Sequence, residues 1–117
     1  MIQKLTLAID TAAPRLQLAL ARHDGSVDVL VEDIAKGHAE ILFDRIDTLL
    51  TRNNLAYADL DRIAVTTGPG SFTGLRIGLS AARGLGLARK IPVLGIPSLL
   101  AVSLGVAAGP LAVLVDA

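Results

Sequence analysis

The apolar positions change period along the chain, and those changes mark out its elements. Leu5 to Asp10 is a continuous apolar run closed by a carboxylate, which suits a central strand buried on both faces. Thr11-Ala12-Ala13-Pro14 then turns the chain into Arg15 to Arg22, where Leu16, Leu18 and Leu20 alternate. His23-Asp24-Gly25-Ser26 carries hairpin chemistry, and beyond it Val27, Val29 and Val31 alternate with Asp28, Leu30 and Glu32. The pattern predicts three antiparallel strands.

From His38 the period lengthens to that of a helix. Ala39, Leu42, Phe43, Ile46, Leu49 and Leu50 fall on one face, with Asp44, Arg45, Asp47 and Arg52 mostly elsewhere, so one amphipathic helix is expected to end near Asn53-Asn54. Leu42, Phe43, Ile46, Leu49 and Leu50 are its predicted inward set. Ile41 lies off that stripe, either as a surface residue or as part of a second sticky face. A short polar connection, Ala56 to Asp61, leads into the β-branched strand Arg62 to Thr67, which Gly68-Pro69-Gly70 halts. A helix from Thr73 to about Arg89 follows, then a strand Val93 to Ile96, a helix from about Ser98 to Ala107 and a last strand Leu111 to Val115.

The corner between strand and helix is the first candidate for chemistry. Ser71 or Thr73 can cap the helix, whose unpaired N–H groups and dipole favour negative charge, so the corner can hold a phosphate. Its spacing supports the ordinary strand-to-helix turn at least as well. No Gly-Lys-Ser/Thr follows, and Gly68-x-Gly70-x-x-x-Gly74 misses the dinucleotide spacing by one residue. The possible phosphate-contacting residues are Asp10, Gly68, Gly70, Ser71 and Thr73.

The helix after the corner is unusually rich in glycine. Each interior Gly costs about 1 kcal/mol relative to Ala, so Gly74, Gly78, Gly84 and Gly86 imply a backbone that something approaches closely. Gly74, Gly78 and Ala82, spaced four apart, form a smooth stripe. The visitor is either an element of the same chain or a partner subunit.

The run Gly68-Pro69-Gly70-Ser71-Phe72-Thr73-Gly74-Leu75-Arg76-Ile77-Gly78, preceded by Leu7-Ala8-Ile9-Asp10-Thr11, resembles the TsaB (YeaZ) family, and the match runs in order along the whole chain. The resemblance implies a non-catalytic partner of TsaD in bacterial synthesis of threonylcarbamoyladenosine at position 37 of tRNA, with a TsaE-like ATPase as a further partner. It also implies that ATP and metal sit on those partner subunits, that tRNA is reached only through the complex, and that the first two helices dock TsaD or form a homodimer in its absence. The interface residues carried over are Ile41, Arg45, Gly74, Arg76, Gly78 and Ala82.

Three antiparallel strands followed by helix, strand, helix and strand is the order of a ribonuclease H-like lobe, the α/β half-unit of the actin-like ATPase (ASKHA) fold. The expected sheet is mixed and five-stranded, in the order 3-2-1-4-5, with helices on its faces. Leu111 to Asp116 echoes Leu5 to Asp10, so residues 1–110 are expected to form the first lobe and 111–117 the first strand of a second. Actin-like ATPases place a carboxylate near metal-bound phosphates where Asp10 stands; a carboxylate capping the turn through Thr11 and Ala12 accounts for it equally simply.

Composition narrows the function classes. Eleven basic residues balance eleven acidic ones, so the chain is not expected to be the main RNA-binding element. The absence of cysteine removes any disulfide, thiolate metal site or thiol nucleophile and suits the cytosol. Ile91 to Val115 carries no charge, but Pro92, Gly95, Pro97, Gly109 and Pro110 divide it into short buried elements rather than a membrane span. The hydrophobic fraction of 52% is high for a small domain and fits a face that meets a partner or a further lobe.

No catalytic or metal-ligating residue is expected. Four residues after His38 stands Leu42, where a helical metal pair needs a ligand, and His23 lies in a hairpin. Ser71 is not in a Gly-x-Ser-x-Gly elbow. Arg76 and Arg83, seven apart, can steer phosphate, pair with a partner's acids or simply be solvated. The alternatives to the partner role are a stand-alone ATP-dependent, sugar-kinase-like enzyme and a glycoprotease-like peptidase of the actin-like superfamily.

Overall fold

The computed structural model describes residues 4–11, 15–33, 39–67, 72–96 and 113–114. The elements are β1 (Thr6–Asp10), β2 (Arg15–Ala21), β3 (Val27–Asp33), α1 (Ala39–Arg52), a 3-10 turn (Tyr57–Asp59), β4 (Arg62–Thr66), α2 (Phe72–Arg89), β5 (Val93–Ile96) and β6 (Val113–Leu114). The sheet order is β3-β2-β1-β4-β5-β6. Its first five strands follow the expected 3-2-1-4-5 of a ribonuclease H-like lobe. The expected pairing of β1 with β4 is parallel, Thr6 to Arg62 through Ile9 to Val65, whereas β2 and β3 return antiparallel.

The short β6 lies antiparallel on β5, with Leu94 opposite Leu114 and Gly95 opposite Val113. The expected helix from Ser98 to Ala107 and the corner residues Gly68, Gly70 and Ser71 lie outside the described residues.

Side-chain alternation gives the sheet two unlike faces. On one, Leu5, Leu7, Ile9, Leu16, Leu18, Leu20, Ile63 and Val65 meet the helices in the main core. On the other, Ala8, Ala19, Ala21, Ala64 and Ile96 form a separate small-residue cluster. Both helices lie on the leucine face: α1 covers β2 and β3, while α2 covers β4, β1 and β5.

Helix α1 is held by Leu42, Ile46, Leu49 and Leu50, each at most 2% exposed. Burying each such side chain is worth roughly 1.5–3 kcal/mol. Phe43 departs from the predicted inward set, for it is 38% exposed. At 100° per residue it stands a quarter-turn from Leu42, and the narrow leucine seam leaves it on the flank.

Polar ties fix the ends. Arg52 makes two bonds to Asp28, at 2.8 and 2.9 Å, and its guanidinium also reaches the Val29 carbonyl. Asn53 adds a bond to Asp28 at 2.8 Å. The Arg52 and Asn53 bonds hold the Asp28 carboxyl below its usual range. The β2–β3 hairpin turns through Gly25 at φ 88°, as its Asp-Gly sequence led one to expect. Both helices hand over to a residue with left-handed backbone, Asn54 at φ 58° and Lys90 at φ 56°.

Candidate partner interface

The glycines of α2 divide into two groups. A Cβ placed on Gly78 would lie 2.5 Å from Thr11 Oγ1 and 3.4 Å from Ile9 Cγ2, so this glycine lets the helix backbone rest on the end of β1. Its N–H donates to Thr11 Oγ1 at 3.0 Å. Ala82 is fully buried, and a Cβ on Gly86 would strike Val93 of β5. Gly84 alone of these has open space around it.

The expectation that Gly78 and Ala82 form an outward ridge for a partner is therefore corrected. The close visitor at Gly78 is the chain's own β1, and both residues belong to the packing of helix on sheet. Gly74 starts the same helix, but its surroundings, like those of Thr73, lie outside the described residues.

The two other residues carried over on α1 are also engaged inside the chain. Arg45 bonds Glu32 of β3 at 2.5 Å, and Ile41 is half-buried against the main core. Both occupy the flank of α1 nearest β3. Arg76 is exposed on α2.

What α2 presents outward is a ridge of Arg76, Ser80, Arg83 and Leu87, related by helical spacing, with Gly84 beside it. Leu87 is 63% exposed, the most exposed of the large apolar side chains described. Helix α1 presents Phe43, Asp44, Asp47, Thr48 and Thr51. Burial, together with a bond from its hydroxyl to Asp47, raises the pKa of Tyr57 and joins the 3-10 turn to α1. Ser80 and Leu87 escaped the sequence reading. The signal was available in Arg76 and Arg83, which mark the wet side of the helix and place Ser80 and Leu87 on it.

At the carboxyl end of the parallel strands, Asp10 is half-buried and follows Ile9, whose partner Val65 precedes Thr66. Asp10 and Thr66 thus stand side by side on the alanine face, and among the described residues the buried Thr66 hydroxyl has no hydrogen-bond partner. At the opposite end, His23 Nε2 lies 3.2 Å from Asp61, which also accepts the Leu5 N–H at 2.7 Å. The Leu5 bond, aided by His23, lowers the Asp61 pKa. Among the described residues no group of three or more His, Cys, Asp or Glu side chains is placed to hold a metal, and no helix is long and apolar enough to cross a membrane.

The family model described as "TsaD: tRNA N6-adenosine threonylcarbamoyltransferase" matches residues 23–117. The tRNA threonylcarbamoyladenosine biosynthesis protein TsaB of Escherichia coli (strain K12) is 35% identical over 99 residues, covering 85% of this chain and 42% of that protein. The protein of the same name from Bacillus subtilis (strain 168) is 37% identical over 93 residues, covering 80% and 41%. The solved structure of YeaZ from Pseudomonas aeruginosa superposes with a TM-score of 0.77 at 32% identity, over 92% of this chain and 50% of that one. The chain spans about half the length of the curated relatives it matches. It belongs to the family of that model and, within it, to the TsaB (YeaZ) family.

Proposed function

We propose that this chain serves in the biosynthesis of threonylcarbamoyladenosine at position 37 of tRNA as a non-catalytic partner of a TsaD-type transferase, docking through the outward faces of α1 and α2. The observation that carries the reading is the helical layer itself: one side packs on the leucine face of the sheet, and the other offers Leu87 and Phe43 to solvent among charged residues. Exposed apolar side chains set in a charged surround suit a protein interface.

In this reading a TsaE-like ATPase is a further partner, ATP and metal reside on the partner subunits, tRNA is met only through the complex, and the assembly works in the cytoplasm. Residues 1–110 form a first lobe, and 111–117, whose Val113–Leu114 lies on β5 of that lobe's sheet, lead on to a second. Without the transferase, the same helical layer pairs two copies of the chain. Co-purification of the full-length protein with its TsaD-type subunit tests the proposal: a stable complex that Leu87→Glu disrupts is expected, and failure to associate refutes it.

A second reading, a stand-alone ATP-dependent enzyme, draws on Asp10 beside the orphaned Thr66 hydroxyl. Calorimetry of the full-length protein with magnesium and ATP decides it. Heat of binding that Asp10→Asn removes supports this reading, and no heat rejects it.

A further inference from the structure

We infer that Arg52 guards the free edge of the sheet: by holding the Val29 carbonyl, its guanidinium keeps the β3 strands of two copies of this chain from pairing edge to edge. That edge is a different surface from the outward sides of α1 and α2, so the guard goes beyond the proposed helical interface and stands or falls separately from it.

Strand β3 stands at one end of the sheet, and among the described residues no strand lies beyond it. The hairpin fixes which of its backbone groups are left over. The Arg22 N–H donates to the Ser26 carbonyl at 2.8 Å, so these two residues are a bonded pair, and in an antiparallel ladder bonded pairs alternate with unbonded ones. In the register Ala21 to Val27, Leu20 to Asp28, Ala19 to Val29 and Leu18 to Leu30, the residues bonded to β2 are therefore Asp28 and Leu30. Val27, Val29 and Val31 turn their N–H and C=O groups the other way, along the free edge.

The side chains of the same residues make the edge adhesive. Val27 packs on the alanine cluster, and Val29 and Val31, two and four residues further on, share its face. Each of those two is 50% exposed. Seven residues of strand with apolar side chains on one face and outward backbone groups along one side are a template for another strand. The template is also self-complementary: turned about a two-fold axis, a second β3 sets valine beside valine and donor against acceptor.

Arg52 stands in the way. Its Nη2 donates to the Val29 carbonyl at 3.0 Å and to Asp28 at 2.9 Å, while its Nε donates to Asp28 at 2.8 Å. Asn53 steadies the same carboxylate, also at 2.8 Å. The guanidinium thus fills the place beside the middle outward carbonyl where the amide of an added strand, its backbone about 4.8 Å from β3, has to sit. An arriving strand must displace the arm or bury it together with Asp28, and burying a charge pair costs free energy. Arg45, the other arginine on this flank, bonds Glu32 instead.

The test is sedimentation velocity of the full-length protein over a range of concentrations, with circular dichroism to verify the fold of each variant. Arg52→Ala is expected to raise the self-association constant by about tenfold or more. Arg52→Lys keeps the charge and the stem but lacks the fork that spans Asp28 and Val29, so it should raise association as well and decides the matter if Arg52→Ala fails to fold. Adding Val29→Lys to either variant should remove the gain, since a charge on an edge strand opposes pairing. The gain should persist beside Leu87→Glu, which acts on the helical layer. Arg45→Ala removes the same charge from the same flank and should leave association unchanged. Folded Arg52 variants that associate no more than the wild type overturn the inference. So does a gain that Arg45→Ala matches, one that Leu87→Glu abolishes, or one that Val29→Lys leaves in place.

Discussion

The amide of Gly78 donates to the Thr11 hydroxyl at 3.0 Å, a contact between the middle of α2 and the end of β1 that leaves no room for a side chain on the helix. The same helix carries Gly84 in open space. Alanine is therefore expected to act with opposite sign at the two positions. Gly78→Ala forces Thr11 or the helix to move and should destabilise by about 1–3 kcal/mol, as overpacking does. Gly84→Ala should stabilise by up to about 1 kcal/mol through helix propensity alone. Urea unfolding of the two variants checks the contrast, and adding Thr11→Ala to Gly78→Ala should return part of the loss. Equal effects at both glycines would contradict the packing described.

That contrast marks where the sequence was legible. Strand order and pairing could be read because Leu16, Leu18 and Leu20 alternate, the hairpin residues are specific, and a buried parallel strand such as Leu5 to Ile9 has a composition of its own. The facing of α2 could not. Its apolar residues surround the helix, and a glycine has no side chain whose polarity tells inside from outside, so Gly78 and Gly84 look alike in one dimension. The arginines were the better guide to the outer face. Phe43 failed for a related reason: its apolar character fitted the stripe, but its angle from Leu42 did not.

The helix ends offer a second test. Lys90 follows the last residue of α2 with φ 56°, a conformation that costs an L-residue with a side chain roughly 1–2 kcal/mol and glycine almost nothing. Lys90→Gly should raise stability by about 1 kcal/mol after the added freedom of the unfolded glycine is counted. Thermal unfolding at fixed pH measures it. A lower melting temperature would mean that the lysine side chain contributes more than its backbone costs.

Acid sensitivity follows from two carboxylates. Asp28, through Arg52 and Asn53, and Asp61, through the Leu5 amide and then His23, both have folded-state pKa values below the ordinary 3.8. A lowered folded pKa means that the unfolded chain takes up the proton first. The stabilisation is then complete above the ordinary value and is lost as pH falls from there through the lowered one. Asp28→Asn and Asp61→Asn should each flatten the acid limb of a stability–pH profile while costing stability near neutral pH. A profile that keeps its full slope below pH 3.8 in both variants would show that other groups carry it.

Leu87 separates folding from association most cleanly. Its side chain is 63% exposed on the outward ridge of α2, so replacing it removes little buried area and should change stability by no more than about 0.5 kcal/mol. At an interface the same side chain would be buried, and interface residues that become fully desolvated carry much of the binding energy. Leu87→Glu is therefore expected to leave urea unfolding nearly unchanged while weakening both self-association and binding to a TsaD-type subunit. Ser80→Glu, on the same ridge, should act in the same direction and also place a negative charge between Arg76 and Arg83. If both variants fold and associate as the wild type does, the outward side of α2 is not the docking surface. Loss of association together with loss of fold would instead show that Leu87 is structural. The two outcomes are told apart by measuring unfolding and sedimentation on the same samples.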